Sequence, residues 1–353
     1  MTEPVASPTI PTFEPSPALE VELPRRPPKS EYAELKRRIK AQGLLQKQPL
    51  HYAGLALPII GLLALGIAVL VLVDSLWIQL LNAAFLAFVF TQISFLGHDA
   101  AHRQIFRSTH ANNIAGTMFW NVFLGTSNRA FIYRHNRHHA RSNEIGNDPD
   151  ADLFVFSLSE QQARGRRGPL RFLVRYQLLL LPLFALEMIV MRYAAYRFFI
   201  LRHAKYPPAE VLLSALSLIA YLALPYYALG LGQAVLVILV HQLLLGLYIG
   251  SVIAANHKGM PFWDEDRPLD FLRQQVLTSR NVKSGALTDF WYGGLNYQIE
   301  HHLFPSLPRY NLRAAQVIIR RFCHEQGIAY SEASPRQSYA DIFQALRAVS
   351  AQA

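Results

Sequence analysis

The sequence predicts an all-α integral membrane protein, with four transmembrane helices in two hairpins and a helical cytoplasmic cap that holds a dimetal site. Three observations lead to this prediction. Hydrophobic residues make up 52% of the chain and charged residues only 16%, a balance that suits a bilayer. The apolar residues are concentrated in runs long enough to cross a membrane. Most of the 13 histidines lie in clusters close to the ends of those runs.

The first part of the chain is expected to lie outside the folded domain. Residues 1–30 are rich in proline and contain no apolar run, which predicts a disordered tail and no cleavable signal peptide. Residues 31–353 then form a single domain. Between Ser30 and Gln46, leucine and isoleucine alternate with lysine and arginine. This pattern fits either a basic helix on an anionic membrane surface or a solvated charged helix.

Four apolar runs predict the two membrane hairpins. Each run has about the 20 residues that a helix needs to cross the hydrocarbon core. Asp74 and Ser75 mark the turn of the first hairpin, and Pro225, Gly230 and Gly232 mark the bend of the second. The predicted spans are about 52–73, 76–97, 210–229 and 232–255. Two weaker apolar stretches, 114–126 and 178–191, are too short or too interrupted to span and are placed at the interface.

The basic residues predict the orientation. Of the 34 lysines and arginines, 8 precede the first span, 15 lie between the hairpins and 11 follow the second, so none remains for the outer turns. Under the positive-inside rule, both termini and the cap, residues 98–207 and 257–353, are cytoplasmic. The expected location is a bacterial plasma membrane. The basic residues form no compact nucleic-acid-binding module, which argues against a nucleic-acid partner.

Three histidine motifs and one single histidine occupy the predicted cytoplasmic ends. The first motif contains His98 and His102, and its i, i+4 spacing puts both rings on one helix face. The second motif, HxxHH, would arise by chance only about 0.02 times in such a chain. The predicted metal ligands are His98, His102, His135, His138, His139, His257, His301 and His302. The other five histidines, His51, His110, His203, His241 and His324, are expected to be ordinary interior or interfacial residues.

Eight imidazoles exceed what one ion can use, so two metal ions are predicted. A zinc peptidase would need HExxH, and the first motif has Asp99 instead of glutamate. Redox-active iron therefore fits better. Carboxylates should accept the distal ring protons; the candidates are Asp99, Asp148, Asp150, Asp152 and Glu300.

The motifs together resemble those of the membrane fatty acid desaturase superfamily. The segment from Gly293 to Pro305 is similar to the branch whose third motif opens with glutamine, here Gln298. The resemblance runs from about Tyr32 to the C-terminus. It implies a diiron centre held by the seven motif histidines, with His257 as an additional ligand from the fourth span. Ile253 replaces an asparagine of some members, so that role is expected to pass to Asn256.

The resemblance implies oxygen-dependent conversion of two neighbouring methylenes to a cis double bond in an acyl-CoA or acyl-lipid chain, with O2 as co-substrate. The chain has one cysteine, which excludes a protein-held cluster with several thiolates, and it has no His-Pro-Gly-Gly haem motif. A separate ferredoxin, cytochrome or flavin and iron-sulfur reductase is therefore the expected electron donor.

An acyl substrate needs a dry tunnel beside the metal. The candidate wall residues are Phe119, Trp120, Phe123, Trp291 and Tyr292, although interfacial anchoring explains such aromatic residues equally well. Arg129, Arg134 and Arg141 are candidates for binding a phosphate of coenzyme A or of a lipid headgroup, and the positive-inside bias also explains them. The alternative functions are a histidine-motif hydroxylase of the alkane, carotenoid or sterol type, and a membrane metal receptor or transporter.

Overall fold

A computed structural model describes residues 30–151, 153, 156–179, 197, 208–263 and 269–353. The predicted proline-rich tail and most of the weak apolar stretch at 178–191 lie outside these residues. Within the part that is described, helices predominate. They are α1 Ser30–Ala41, α2 Pro49–Leu72, α3 Leu76–Ala101, α4 Thr109–Thr117, α5 Asn128–Ala140, α6 Glu160–Gly165, α7 Pro169–Arg175, α8 Pro208–His257, α9 Phe271–Leu277, α10 Ala286–Trp291, α11 Gln298–Leu303, α12 Leu312–Glu325 and α13 Pro335–Ser350.

The described residues also form four shorter elements. A π-helical segment, Met118–Phe123, continues α4, and a 3-10 turn, Arg309–Asn311, precedes α12. Strands β1, Asn281–Val282, and β2, Glu332–Ala333, form a parallel pair. The pair joins the segment before α10 to the segment before α13.

Helices α2, α3 and α8 are long and apolar enough to cross a membrane. Helices α2 and α3 pack side by side and antiparallel. Towards the turn that joins the two helices, the Asn82 side-chain amide donates to the Gly66 carbonyl across 2.9 Å. At the other end, the Tyr52 hydroxyl donates to Gln104 Oε1 across 2.9 Å. The first predicted hairpin therefore has a polar contact at each end.

Helix α8 contains 50 residues but is not straight. Gly230 has φ 73° and ψ 168°, a backbone conformation that is essentially restricted to glycine. The Tyr221 hydroxyl lies 2.8 Å from His241 Nδ1, whereas 20 residues of straight helix would separate them by about 30 Å. The two arms, 208–229 and 231–257, therefore fold back on one another at Gly230, where the sequence predicts the bend.

The apolar face of α1 is buried in the cap and does not contact lipid. Leu35 and Ile39 are fully buried in one cluster with Ile319 and Phe322 of α12. The outer, basic face pairs with neighbouring carboxylates, for example Arg38 with Glu325 across 2.6 Å. The hydrophobic residues of α1 are thus part of the cap core, which neither sequence-based interpretation predicted, whereas Lys36, Arg37 and Lys40 on its charged face are exposed.

The apolar stretch at 114–126 packs between the membrane helices and the cap. It forms the end of α4 and the π-helical segment. Asn121 within it is buried and donates to the Glu210 carbonyl across 3.2 Å and to Ser214 Oγ across 2.9 Å. Gly116 permits a close approach to Asn128, since a Cβ at this position would lie 2.6 Å from Asn128 Oδ1. These contacts fix α5, which carries the second histidine motif, against α8.

Candidate metal centre

Four helices bring all eight predicted ligand histidines into one cluster. Helix α3 ends beside His98 and His102, α5 carries three imidazoles in its last turns, α8 ends at His257, and α11 carries His301 and His302. Seven of the eight residues are buried; His135 is half-buried. The four helices approach the cluster from different directions, so their imidazoles converge on a shared centre.

The imidazoles form two groups that could each hold a metal ion. Within each group, ligand atoms all lie within 4.8 Å of one another. The first group is His98, His102, His135 and His301, and the second is His138, His257 and His302. His139 lies between them: its Nε2 is 3.1 Å from His135 Nε2, and its ring centroid is 4.3 Å from that of His302.

The way the ring nitrogens meet fits metal ions better than hydrogen bonds. Nε2 of His257 has three nitrogens close by: His138 Nε2 at 3.3 Å, His302 Nε2 at 3.1 Å and Gln298 Nε2 at 2.8 Å. One ring nitrogen cannot satisfy three such neighbours by hydrogen bonding. Two nitrogens bound to one ion at about 2.1 Å and at a right angle are about 3.0 Å apart, which is the spacing found here.

The opposite ring nitrogens contact oxygen atoms. His98 Nδ1 lies 3.2 Å from Asp99 Oδ1, His138 Nδ1 lies 2.9 Å from Asp148 Oδ1, and His302 Nδ1 lies 2.8 Å from Gln275 Oε1. An Nδ1 proton donated to oxygen leaves the Nε2 lone pair free for a metal, as metal-bound histidines typically require. His102 Nε2 and His301 Nε2 are buried and have no hydrogen-bond partner among the described residues.

Burial keeps most of these rings neutral. Removal from water, together with the neighbouring imidazoles, holds the pKa well below its usual range in His102, His135, His139, His301 and His302. His138 differs, because burial lowers its pKa but Asp148 and Asp150 together raise it more. Neutral imidazoles are the form that binds metal.

Carboxylates flank the histidines on two sides, with Asp99 beside the first group and Asp148 and Asp150 beside the second. Asp99 is buried and forms an ion pair with Arg309, whose Nη2 lies 2.8 Å from Asp99 Oδ2. On the other side, Arg134 Nε lies 2.8 Å from Asp150 Oδ1. Burial raises the pKa of Asp150, but Arg134 and the nearby histidines lower it further than burial raises it. Both sides therefore carry carboxylates paired with arginine.

The other predicted supporting residues take different partners. Asn256 Nδ2 lies 3.2 Å from Gln298 Oε1, and so links α8 to α11 beside His257. Glu300 accepts hydrogen bonds from Asn281 Nδ2 at 2.6 Å and from the Tyr330 hydroxyl at 2.8 Å, not from an imidazole. It points away because residues 300 and 302 lie on opposite sides of a helix. Burial raises the pKa of Glu300 to about 7. Asp152 lies outside the described residues.

A cavity of about 140 Å³ opens beside the histidines. His98, His135, His138, His257 and His301 contribute to its wall. Along α8 the wall is apolar, formed by Gly246, Ile249, Gly250 and Ile253, and the polar part contains Arg134, Asp150 and Lys258. The wall of the cavity thus has an apolar part along α8, a polar part and a part formed by imidazoles.

Of the five predicted tunnel residues, Trp120 lines this cavity. Phe119 and Phe123 belong to the core cluster around α3. Trp291 stacks on Tyr248 with ring centroids 4.0 Å apart, and the Tyr292 hydroxyl lies 3.0 Å from that of Tyr339. These four side chains are not among the described residues of the cavity wall.

The arginines considered as phosphate ligands form ion pairs. Arg129 pairs with Glu210 across 2.8 Å and Arg141 with Glu144 across 3.0 Å. Sequence reasoning did not find Gln275, Arg309 or Lys258, which lie beside the histidines or the cavity. These residues belong to no motif, and only the fold brings them to the site.

The comparison with known proteins agrees with this geometry. Residues 75–334, which include all eight histidines, match the model of the fatty acid desaturase family. The chain belongs to the fatty acid desaturase family. It is therefore an oxidoreductase of lipid metabolism and a membrane protein, with histidine groups that fit a metal site.

Several curated proteins are similar to this desaturase. A Delta(8)-fatty-acid desaturase of Euglena gracilis is 29% identical over 87% of this chain and 75% of its own length. An Acyl-lipid (9-3)-desaturase of Physcomitrium patens is 27% identical over 90% of this chain and 62% of its own length. A Delta(5) fatty acid desaturase of Caenorhabditis elegans is 27% identical over 85% of this chain and 69% of its own length. These three relatives come from eukaryotes.

Proposed function

We propose that this protein is an oxygen-dependent fatty acyl desaturase that introduces a cis double bond into an acyl-CoA or acyl-lipid chain at a histidine-bound diiron centre. The observation that carries the proposal is the two groups of converging imidazoles, which face a cavity with an apolar wall. A hydroxylase would need the same centre, but every curated relative described above is named a desaturase.

Two iron ions held by these groups would use O2, two electrons and two protons to remove two hydrogens from neighbouring methylenes, which gives an alkene and two waters. The protein has to orient the ligand imidazoles and to hold the acyl chain beside them. His98 and His138 are oriented by carboxylates on their Nδ1 side, so their Nε2 atoms stay directed at the centre. The apolar wall along α8 excludes water from the acyl chain, which protects the reacting carbons from side reactions.

The names of the relatives support a position close to the carbonyl end of the chain. Delta(5) and Delta(8) count bonds from the carbonyl carbon. We propose a bond in this part of the acyl chain for the present protein as well. Arg134, which also pairs with Asp150, and Lys258 form the polar part of the cavity wall, and we propose that this part faces the headgroup side of the substrate.

We further propose that α8 crosses the membrane twice, so that four spans form two hairpins with the cap and both termini on the cytoplasmic side. The reversal at Gly230 and the positive-inside distribution support this arrangement. Electrons are proposed to come from a ferredoxin, a cytochrome or a flavin and iron-sulfur reductase, since the single cysteine of this sequence cannot hold an iron-sulfur cluster.

The proposal is tested by expression in a host that supplies a reductase, followed by gas chromatography of the fatty acids and metal analysis of the purified protein. The wild type should give a new alkene and contain about two irons per chain. His138→Ala should abolish the product and lower the iron content, because the second group then keeps only two of its three imidazoles. Membrane insertion should be unchanged.

The matched control is His324→Ala, because His324 is exposed on α12 and belongs to neither group. It should retain product and iron. Full activity in His138→Ala would contradict the assignment of this ligand, and a hydroxylated product in the wild type would favour the hydroxylase.

A further inference from the structure

Helix α10 of the cap has three large apolar side chains that are exposed on the surface of the chain. Leu287 is 76% exposed, Phe290 55% and Trp291 39%. The three residues share one side of the helix, because positions three and four apart are neighbours. The helix follows the last predicted span in the sequence, so the four predicted spans do not account for this apolar face.

The single charged residue of α10, Asp289, lies on the opposite side of the helix from this face. Its Oδ1 accepts a hydrogen bond from Asn296 Nδ2 across 2.8 Å, and its Oδ2 accepts one from the Tyr297 hydroxyl across 2.9 Å. Both partners are buried. A helix that pairs its carboxylate inside the protein and exposes its large apolar residues is suited to apolar surroundings and not to water.

Two ring contacts place α10 beside the membrane helices. The rings of Trp291 and Tyr248 stack with centroids 4.0 Å apart, and the centroids of Phe290 and Phe88 are 5.8 Å apart. Tyr248 lies seven residues, and Phe88 nine residues, before the cap end of its predicted span. At the rise of an α-helix these positions are about 10 Å and about 13 Å inside the hydrocarbon. Since one leaflet contributes about 15 Å of hydrocarbon, the contacts lie at the depth of lipid tails.

The backbone at the end of α10 is paired in a way that lipid surroundings require. The last carbonyls of a helix have no partner within the helix, and an unpaired carbonyl is strongly unfavourable in hydrocarbon. The four carbonyls of residues 289–292 are all paired. The chain that follows the helix donates backbone N–H groups to three of them across 3.0 to 3.2 Å. The fourth, that of Trp291, accepts from the Tyr248 hydroxyl across 2.9 Å.

The turn after α10 fixes the helix against α3. Gly293 has φ 58°, and a Cβ at this position would clash with the Phe95 ring, so glycine is needed for both the conformation and the close approach. Phe95 and Leu295 also line the cavity beside the histidines. The apolar face of α10 therefore has a fixed position relative to the cavity.

We propose that α10 is inserted into the membrane leaflet next to the cap, and that Leu287, Phe290 and Trp291 contact the hydrocarbon tails of its lipids. This inference rests on the proposed topology, in which α3 and the second arm of α8 cross the membrane. It adds a lipid-contacting element to the cap, next to the wall of the cavity.

The test attaches a fluorescent label to single cysteines of the full chain in phosphatidylcholine nanodiscs, in a Cys323→Ser background. Leu287→Cys reports on α10. Leu247→Cys is the lipid-facing control, since Leu247 is exposed on α8 beside Tyr248. Val317→Cys is the water-facing control, since Val317 is an exposed apolar residue of the cap on α12.

Bromine atoms on the lipid tails should quench the labels at positions 287 and 247, whereas aqueous iodide should quench the label at position 317. Quenching at position 287 by iodide and not by bromolipid overturns the proposal. Weak quenching there by both agents also overturns it, because a second protein then covers α10. If the label at position 247 responds only to iodide, the proposed topology is wrong as well.

A second measurement compares Leu287→Asp with Val317→Asp by thermal unfolding in the same nanodiscs. Leu287→Asp should lower the unfolding midpoint although the residue is exposed, because it places a carboxylate among lipid tails. Val317→Asp should leave the midpoint unchanged. Equal midpoints for the two variants contradict the insertion of α10.

Neither measurement depends on product formation. A wild type that forms no desaturated product, but whose α10 label is quenched by bromolipid, would refute the proposed function and leave the insertion of α10 supported. The two failures can therefore be distinguished.

Discussion

The ion pair between Asp99 and Arg309 shows how much a single residue outside the histidine motifs contributes to the site. The Asp99 carboxylate lies between His98 Nδ1 at 3.2 Å and the Arg309 guanidinium at 2.8 Å. Arg309 also donates its backbone N–H to the Tyr52 hydroxyl across 3.1 Å. One arginine therefore connects α2, α3 and the turn before α12 behind the first imidazole group.

Arg309→Met should destabilise the protein by about 3–5 kcal/mol, because Asp99 is left as a buried charge without its cationic partner. The loss should appear as a lower midpoint when the protein in detergent is unfolded by heat or denaturant and followed by circular dichroism. Arg313→Met, an exposed arginine on α12, should stay within about 0.5 kcal/mol of the wild type. Equal stability of the two variants would show that the pair contributes nothing.

The site residues that the sequence predicts are those that belong to a motif with a regular helical spacing. The HxxHH motif on α5 specifies three ligands, since i, i+3 and i+4 positions share a helix face. Gln275 belongs to no sequence motif. Its Oε1 nevertheless lies 2.8 Å from His302 Nδ1, and its Nε2 donates a hydrogen bond to the His139 carbonyl. Its role depends on α9 packing against α11. A contact between two short helices that are far apart in the chain leaves no recognisable pattern in the sequence of either helix.

At the level of elements, the reversal within α8 brings the last histidine of the membrane region to the cap. The Tyr221 hydroxyl, His241 Nδ1 and Gln242 Nε2 lie within hydrogen-bonding distance across the two arms. Gly230 provides the backbone conformation for the reversal. The sequence predicts the position of this reversal, because glycines interrupt an otherwise apolar run there.

Gly230→Ala should lower the unfolding free energy by about 1–3 kcal/mol, since alanine is strained at this φ and ψ. A Cβ would meet no atom within 4 Å, so crowding does not contribute. Gly232→Ala is the matched control, because its surroundings are equally open and its φ is not in the left-handed region. Both variants are compared by thermal unfolding in detergent. Similar midpoints for the two would contradict a special requirement at Gly230.

Helix α1 illustrates what the pattern of an isolated element cannot decide. Its alternating basic and apolar residues are equally compatible with lipid, solvent or protein as the neighbour. In the structure the neighbour is protein, because Leu35 and Ile39 share a core cluster with residues of α9 and α12, more than 230 residues later in the chain. Only the tertiary fold distinguishes these cases.

For the whole molecule, the arrangement of charges makes a prediction about sidedness. The turn at Asp74–Ser75 and the bend at Gly230 should face the outside, and the cap should face the cytoplasm. In a Cys323→Ser background, Ser75→Cys should react with a membrane-impermeant maleimide added to intact cells. Ala351→Cys should react only after the cells are opened. Labelling of both positions from outside would contradict the proposed topology.

The histidine groups also determine when metal can be acquired. The first group contains His301 and the second contains His302, and both residues follow the last membrane segment in the chain. During synthesis, neither group is complete until more than 300 residues have left the ribosome and α11 has docked beneath the inserted helices. Metal loading is therefore a late step of biosynthesis, and a nascent chain truncated before this point would lack one imidazole in each group and bind metal incompletely.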